Sequence, residues 1–448
     1  MNTPKTASTT AGGTSAAPTF RLGLMMVLEF AIWGAWLPLI WGYMGAAVAD
    51  GGLGFTGSQI AWVGSAFAIA SIVGIFFSSQ FADRTFAAER FMAFSHLVGG
   101  LAILAMYFAR EIAGATGLGV FPVFFGLMLL HALLYVPTIS VSNSIAFTHM
   151  KNAEKEFGLV RMGGTIGWIL AAWPLFFLLE GKTGVAATAA KANIFLVAGI
   201  ASLILAAYSL TLPHTPPKRV EGETSIAWLR ATGFLSYPYL LVLFLVTFID
   251  SVIHNGYFLL AGSFLGDKNA AGIAEQWIMP VMSIGQIAEI LTMAVLGTVL
   301  ARLGWKTTMI LGILGHAARF AVFAFMPQNT AMIIAVQVLH GICYAFFFAT
   351  LYIFIDAAFP KDVRSSAQSL FNLLVLGLGD LAAKWLFIPL QERLTTDGVT
   401  DYRQLFLVPA GMALAAAVLL LVAFWPPKWL ASGAEVEDDL ETEPQLVT

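Results

Sequence analysis

Long apolar runs alternate with short polar stretches along most of this chain. A run of about 20 residues is long enough for a helix to cross a bilayer. Helices are the form expected for such runs, because a helix satisfies its own backbone polar groups in lipid. The pattern predicts twelve transmembrane helices, near residues 22–47, 58–80, 91–109, 120–148, 161–180, 193–212, 236–264, 276–300, 307–326, 330–355, 365–391 and 404–425.

Composition agrees with this pattern. Of the 448 residues, 58% are hydrophobic and only 11% are charged, and the mean hydropathy is +0.81. A soluble domain would have to expose much of that apolar surface to water. We therefore expect an all-α membrane protein.

The longest polar interruption divides the twelve spans into two sets of six. Residues 21–213 are predicted to form an N-terminal six-helix half and residues 236–426 a C-terminal six-helix half, joined by a linker at 214–235. Residues 1–20, rich in Thr, Ser, Ala and Gly, are expected to be a disordered tail, and residues 427–448 a solvated acidic tail.

The distribution of positive charge predicts the orientation. If both termini are cytoplasmic, 15 of the 23 Lys and Arg residues fall in the tails and inner loops, six in outer loops, and two, Arg319 and Lys384, inside spans. The positive-inside rule favours this orientation. We therefore expect a multi-pass protein of the cell inner membrane with cytoplasmic tails and a cytoplasmic linker.

Sequence motifs of soluble enzymes are missing from the chain. It has no His-Glu-x-x-His, no phosphate loop and no nucleophile elbow. Cys343 is the only cysteine, which excludes a disulfide framework and a cysteine metal site. No catalytic residue, metal or cofactor is expected, and the functional candidates are the few polar side chains inside spans.

Gln286 and Glu289 lie three residues apart in the otherwise uncharged segment 277–300. At that spacing both side chains leave one face of a helix. A carboxylate at mid-bilayer depth costs several kcal/mol unless it faces a wet cavity, a partner or a proton. The pair indicates a substrate or proton site of a transporter; the alternative is an acid neutralised inside a structural bundle.

Spans four and five carry a second set of candidates. Arg161, Thr165 and Trp168 follow each other at i, i+4 and i+7 on one helix face, although Arg161 could also serve as an anchor at the cytoplasmic end. Thr138 and Asn143 follow a proline that bends span four, where ligand contact and a packing kink are equally open.

Spans seven, ten and eleven add polar pairs spaced by one helical turn. Asp250 and His254 form such a pair, with Asn255 beside them, and His340 and Tyr344 form another; Asp380 and Lys384 are interpreted as a structural ion pair. In the first half, Glu29 is the only acid well inside a span.

The two-half plan resembles the major facilitator superfamily, whose halves enclose a site at the bilayer midplane. The loops 81–84 and 301–306 occupy equivalent places in the two halves and are similar to the superfamily's gate loop. This resemblance implies that Asp83 and Arg84 hold a gate together.

Several motifs narrow the resemblance to the nucleoside:proton symporter family of that superfamily. They are FAIWGAWL at 30–37, Pro137-Thr138 with Asn143, RMGGTIGW at 161–168, SIGQIAE at 283–289, Arg319-Phe320 and RSSAQ at 364–368. These motifs appear in family order over nearly the whole chain.

The resemblance implies a nucleoside site with contributions from both halves. Its members would be Arg161, Thr165 and Trp168 from the first half, with Thr138 and Asn143 as further candidates, and Asn255, Gln286, Glu289, His340 and Tyr344 from the second half. Glu289 would also couple protons.

Four positions depart from the family pattern. Ala345 stands where an acid is expected, Phe258 where a polar binding residue is expected, and Glu29 where a glutamine is expected; Asp250 has no family counterpart. Asp250 is therefore a second candidate for proton coupling, as an acid that shares a cavity with Glu289. The alternative is that it pairs with His254 and only fixes its helix.

The leading hypothesis is a monomeric importer of nucleosides by proton symport, working by alternating access in a lipid bilayer, with nucleosides and protons as ligands and no nucleic-acid partner. The alternatives are a transporter or proton-independent facilitator of another polar solute on the same fold, and, less favoured, a membrane sensor or enzyme.

Overall fold

The computed structural model describes residues 16–77, 86–150, 153–217, 232–359 and 364–427. Most of both predicted tails, most of the predicted linker and the gate residues Asp83 and Arg84 lie outside the described residues. The predictions made for them stay predictions. Residues 16–20, predicted to belong to the disordered tail, are instead helical, because the first helix begins at Ala16.

Six long helices make up the described part of the first half. They are α1 (Ala16–Gly45), α2 (Gly57–Phe77), α3 (Ala88–Met106), α4 (Val120–His149), α5 (Ala153–Leu179) and α6 (Asn193–Ser209). The 3-10 turn Val48–Asp50 and the short helices Ala109–Thr116 and Gly184–Ala190 lie in the connections on the side of the bundle where α1 ends.

The second half begins with the 3-10 turn Phe234–Ser236 and contains five helical runs. Three are α7 (Pro238–Gly266), α8 (Glu275–Phe325) and α11 (Tyr402–Ala423). The fourth run, α9, consists of Thr330–Ala335, Val338–Cys343, the π-helical turn Tyr344–Ala349 and Thr350–Ala358. The fifth, α10, consists of Arg364–Asn372, the π-helical turn Leu373–Leu378 and Gly379–Arg393. Two antiparallel strands of two residues each, Thr395–Thr396 and Val399–Thr400, precede α11.

Among the described residues, eleven helical runs are long and apolar enough to cross a membrane. The 51 residues of α8 contain two of the predicted spans, 276–300 and 307–326, which meet at Gly304 with φ 70° and ψ 175°. Glycine adopts a positive φ without a steric penalty, so the chain can turn there. The eleven runs therefore account for the twelve predicted spans, and the prediction of an all-α membrane protein is confirmed.

Helix α1 lies against α5 at very short range. A Cβ at Gly167 would lie 2.0 Å from the backbone oxygen of Val27, and one at Gly163 would lie 2.5 Å from that of Gly23. Small residues allow helices in lipid to approach until their backbones touch. The glycines of span five therefore set the position of α1, which carries Glu29 and several tryptophans.

The two halves are joined at the end of the bundle where α1 finishes. The backbone N–H of Gly57 donates to Glu392 Oε1 at 2.8 Å, and Lys191 Nζ lies 2.9 Å from Glu275 Oε2. Deeper in the bundle, Trp385 Nε1 donates to Ser65 Oγ at 3.1 Å. These contacts close that end over the space between the halves.

We predict that Gly167→Ala lowers the free energy of unfolding by about 1–3 kcal/mol, because the new methyl group forces α1 and α5 apart. The apparent melting temperature of the purified protein in detergent measures this. Gly158→Ala on the same helix is the control, since a Cβ there meets no atom within 4 Å. Equal melting temperatures for both variants would contradict the close packing.

Candidate functional site

A narrow cavity lies between the halves at the level of the α1 tryptophans. Five aromatic and five other apolar residues form most of its wall, and an amide, a carboxylate and an amine complete it. Its lining residues are Trp33, Trp36, Leu37, Ile40, Trp41, Val63, Gly64, Phe67, Met128, Asn255, Phe258, Asp380 and Lys384.

Several polar atoms in this lining have no hydrogen-bond partner in the described part of the chain. They are the indole Nε1 atoms of Trp33, Trp36 and Trp41 and the Oδ2 atom of Asp380. A buried donor without a partner costs about 1–3 kcal/mol. The residues that line the cavity thus hold three unpaired donors and one unpaired acceptor.

The predicted ion pair between Asp380 and Lys384 is present, with Lys384 Nζ hydrogen-bonded to Asp380 Oδ1. The ammonium also lies 5.5 Å from the ring centre of Trp41. Sequence analysis assigned this pair a structural role. Its side chains line the cavity, so it also belongs to the candidate site.

Glu289 lies where α5 of the first half meets α8 of the second. Thr165 Oγ1 donates to Glu289 Oε1 at 3.4 Å. One turn before Thr165, Arg161 places its guanidinium 4.3 Å from the ring centre of Phe30. Two predicted residues of the first half thus lie on the helix that faces the acid.

Helix α9 approaches Glu289 from the other side. A Cβ at Gly341 would lie 2.2 Å from the backbone nitrogen of Glu289. Gln286, one turn earlier on α8, is buried, and its Oε1 has no partner among the described residues. The side chains of the pair therefore remain available to a ligand between the halves.

Trp168 connects the α5 residues with the cavity. Its ring centre lies 5.8 Å from that of Trp33 and 5.5 Å from that of Phe258. Asn255, on the wall beside Phe258, donates from Nδ2 to the backbone oxygens of Ser251 at 2.9 Å and Val375 at 3.1 Å. Its Oδ1 atom is left for other contacts.

His340 belongs to a buried cluster around Arg319. Arg319 Nη1 lies 2.8 Å from His340 Nδ1 and Nη2 lies 3.1 Å from His316 Nδ1. Because a guanidinium only donates, both Nδ1 atoms accept, and each neutral ring carries its hydrogen on Nε2. Arg319 therefore sets the tautomer of a predicted site residue.

Asp250 belongs to the same cluster, and its neighbour there is not His254, its partner in the alternative to a coupling role. The neutral ring of His316 lies beside it, with Nε2 3.6 Å from Asp250 Oδ2. The His254 ring instead stacks on His340, with ring centres 5.2 Å apart. Asp250 is fully buried, and its role in proton coupling stays a prediction.

Tyr344 begins the π-helical turn of α9 and is half-buried, with its ring centre 6.1 Å from that of His254. Ala345, which follows it, is fully buried. Single π-helical turns inside α-helices are frequent at functional sites.

Thr138 is fully buried, and its hydroxyl donates to Glu29 Oε1 at 2.8 Å. It is thus part of a network inside the first half and not of the cavity lining. Asn143 lies further along α4, half-buried, and its Oδ1 has no partner in the described ranges.

Comparison with known proteins decides the family. Residues 17–428 match the family model described as nucleoside H+ symporter. The chain belongs to the nucleoside H+ symporter family. Members of this family are multi-pass membrane transporters, which agrees with the helices of this chain. The less favoured alternative of a membrane enzyme is therefore dropped.

Curated members of the nucleoside H+ symporter family align over most of the chain. The Escherichia coli putative nucleoside transporter YegT is 30% identical over 429 residues, covering 91% of this chain and 93% of the relative. The Escherichia coli xanthosine permease is 28% identical over 421 residues, covering 90% and 95%.

Solved structures establish the fold. A crystal structure of the nucleoside transporter NupG matches with a TM-score of 0.75 at 23% identity, covering 91% of this chain and 99% of that one. A D-xylose–proton symporter matches with a TM-score of 0.71 at 12% identity, covering 93% and 99%. The predicted major facilitator fold is confirmed.

Sequence analysis missed several residues of the site. Trp33 and Trp36 were noted only as part of the family motif at 30–37, and Trp41 was not noted, although three indoles spaced along one apolar helix are an unusual supply of buried donors. His96, which contacts Glu29, was not singled out; a lone histidine inside an apolar span was the available signal.

We predict that Arg319→Gln destabilises the protein by about 3 kcal/mol, because it removes the cation from a buried cluster that contains the Asp250 carboxylate. Asp250→Asn combined with Arg319→Gln should recover part of the loss. Melting temperatures in detergent test this, with the exposed Lys268→Gln as control. A double variant as unstable as Arg319→Gln alone would contradict the electrostatic link.

Proposed function

We propose that this protein imports nucleosides together with protons, by alternating access of its two halves around a central site. The observation that carries the proposal is the aromatic cavity between the halves with its unpaired indole N–H groups. Membership of the nucleoside H+ symporter family and relatives named as a nucleoside transporter and a xanthosine permease support it.

The cavity chemistry suits a nucleoside. A purine or pyrimidine ring packs on aromatic faces such as those of Trp33 and Phe67. Ring oxygens, carbonyl groups and ribose hydroxyls accept hydrogen bonds from indole N–H groups, and hydroxyls donate to a carboxylate such as Asp380. Arg161, Thr165, Trp168, Asn255, Gln286, His340 and Tyr344 are proposed to complete the site, each at the position described above.

Glu289 is proposed to carry the coupled proton. It lies at the junction of the halves, where its accessibility changes if the halves rock against each other. Its nearest described polar partner is the Thr165 hydroxyl at 3.4 Å, a weak contact that leaves most of the carboxylate's hydrogen-bonding capacity unused. An acid in this situation can take up a proton when it faces one side and release it when it faces the other.

We further propose an inner-membrane location, with both termini and the 214–235 linker cytoplasmic and the monomer as the transporting unit. The bias of Lys and Arg toward the assigned inner loops supports the orientation. In this orientation, the contacts of Gly57 with Glu392 and of Lys191 with Glu275 lie on the outer side of the membrane.

A second candidate is facilitated diffusion of nucleosides without protons. The buried Ala345 favours it, because this side chain cannot titrate and the acid Asp250 is enclosed with His316. Substrate-driven alkalinisation outside vesicles distinguishes the two functions.

Uptake by purified protein in vesicles tests the proposal. Radiolabelled uridine, adenosine, a nucleobase and a pentose should each be offered with and without an inward proton gradient. We expect saturable uptake of nucleosides that exceeds equilibration only with the gradient. Uptake of the pentose or nucleobase in preference to both nucleosides would reject nucleosides as substrates.

We predict that Glu289→Gln abolishes gradient-driven accumulation, since the amide keeps the size and hydrogen bonding of the acid but does not titrate. Exchange of labelled for unlabelled nucleoside across the membrane should persist. The exposed Glu111→Gln serves as control. Normal accumulation by Glu289→Gln would remove Glu289 as the coupling acid.

We predict that Trp36→Phe weakens nucleoside binding about fivefold, because it keeps the aromatic face and removes one hydrogen-bond donor, a loss of about 1 kcal/mol. Binding of labelled nucleoside to the purified protein measures this. Trp173→Phe is the control, because Trp173 is exposed on the lipid side of α5. Equal affinity of wild type and Trp36→Phe would show that the indole N–H does not contact substrate.

A further inference from the structure

A second group of titratable side chains lies inside the first half, away from the cavity lining. It consists of Glu29 on α1, His96 on α3, Thr138 on α4 and Ser202 on α6, each no more than 1% exposed. Glu29 Oε2 lies 2.8 Å from His96 Nε2, and Thr138 Oγ1 lies 2.8 Å from Glu29 Oε1 and also contacts the Tyr135 backbone oxygen. Side chains from four helices thus form one buried polar group around the Glu29 carboxyl and the His96 ring.

The direction of the Ser202 hydroxyl is linked to the position of the hydrogen on His96. Ser202 Oγ donates to the backbone oxygen of His96 at 3.0 Å. A hydroxyl has one hydrogen, so toward His96 Nδ1, which lies 3.1 Å away, the same oxygen must accept. His96 therefore carries a hydrogen on Nδ1 in this arrangement.

The contact between His96 and Glu29 then requires one further proton. With the Nδ1 position occupied, a neutral His96 has a lone pair on Nε2, and an ionised Glu29 would place a second acceptor 2.8 Å from it. Two acceptors at that distance repel each other. The bond forms only when a proton lies between them, carried by Glu29 Oε2 or by His96 Nε2.

Release of this proton has a defined alternative hydrogen-bond pattern. If Ser202 turns its hydroxyl from the His96 carbonyl to His96 Nδ1, His96 carries its single remaining hydrogen on Nε2 and donates it to an ionised Glu29. The two patterns differ by one proton and by the direction of one hydroxyl. The deprotonated form also gains a buried negative charge, which acts on the helices packed around it.

Other titratable groups surround the pair. From α4, the Tyr135 hydroxyl donates to the Glu29 backbone oxygen at 2.7 Å, and the His131 ring stacks on Tyr135 at 5.3 Å. From α5, Arg161 lies over the ring of Phe30, which is next to Glu29 in sequence, so a cation lies close to this turn of α1.

We propose that Glu29 and His96 form a proton-binding site in the first half, separate from Glu289. Helix α1 connects this site to the cavity: Trp33, one turn after Glu29, lines the cavity and contacts Trp168. Protonation of the pair sets the position of this turn of α1. The effect on transport rests on the function proposed above, whereas the proton binding does not.

The direct test is ¹⁵N NMR of histidine-labelled protein over a range of pH, with the His96 signals identified by their loss in His96→Gln. Wild type should carry the His96 hydrogen on Nδ1 at acidic pH and on Nε2 at alkaline pH. Glu29→Gln should hold it on Nδ1 throughout, because the glutamine amide donates to His96 Nε2 in place of the proton. A wild-type His96 with its hydrogen on Nε2 at every pH would overturn the proposal without any variant.

The matched control is Glu89→Gln. Glu89 also pairs with a histidine, His214, at 2.8 Å between Glu89 Oε1 and His214 Nδ1, but that histidine is largely exposed near the end of the bundle. Glu89→Gln should leave the His96 titration unchanged. A His96 titration that is the same in Glu29→Gln as in wild type would show that Glu29 does not share the proton.

Transport separates this site from the coupling acid. The dependence of the initial nucleoside uptake rate on external pH should flatten in Glu29→Gln, while accumulation driven by the gradient is lost only in Glu289→Gln. An unchanged pH profile in Glu29→Gln would overturn the role of the pair in transport. Proton-independent uptake by wild type would instead reject symport and leave the NMR result to decide the proton site.

Discussion

Every polar group inside this bundle must find a partner in protein, because lipid supplies none. The interior of each half meets part of this requirement with a cluster of buried polar side chains. In the second half, Arg319 donates to His316 and His340, and His316 contacts Asp250. In the first half, His96 and Thr138 both bind Glu29. These clusters tie together helices that apolar contacts alone would allow to slide.

The surface between the halves departs from this rule. Three indole N–H groups and one oxygen of Asp380 remain unpaired there among the described residues. Such groups persist when the structure around them is fixed by other contacts and when a ligand pairs with them for part of the time. Unpaired groups at the interface suit a transporter, because the halves must stay intact while the interface exchanges water for substrate.

Helix approach decides which polar groups face that interface. Gly341 allows α9 to touch the backbone of α8 beside Glu289, and Gly167 allows α1 to touch α5. A larger residue at either point would rotate or displace the helix that carries an acid. The glycines therefore contribute to the site through geometry, although they offer no functional group.

Periodicity and length were sufficient to predict the spans, since the energy of burying backbone and charge in lipid acts on each segment separately. The same reasoning placed Gln286 and Glu289 on one face of α8. It failed for Asp250, because i, i+4 spacing identifies neighbours on one helix only, and the partner found, His316, comes from another helix 66 residues away. The contact between Glu29 and His96 was unpredictable for the same reason: it depends on how α1 and α3 are rotated, and no local pattern encodes that rotation.

The position of α1 has a consequence for how the two acids can act together. Rocking of the halves changes the surroundings of Glu289, which lies between them, but it leaves the interior of a half unchanged. A proton on Glu29 can therefore influence substrate only through a change within the first half. The turn from Glu29 to Trp33 is the available path, since its first residue binds His96 and its last residue lines the cavity and contacts Trp168. Because Gly167 leaves no space between α1 and α5, even a small shift of this turn must also move Phe30 under Arg161, one turn from the residue that contacts Glu289.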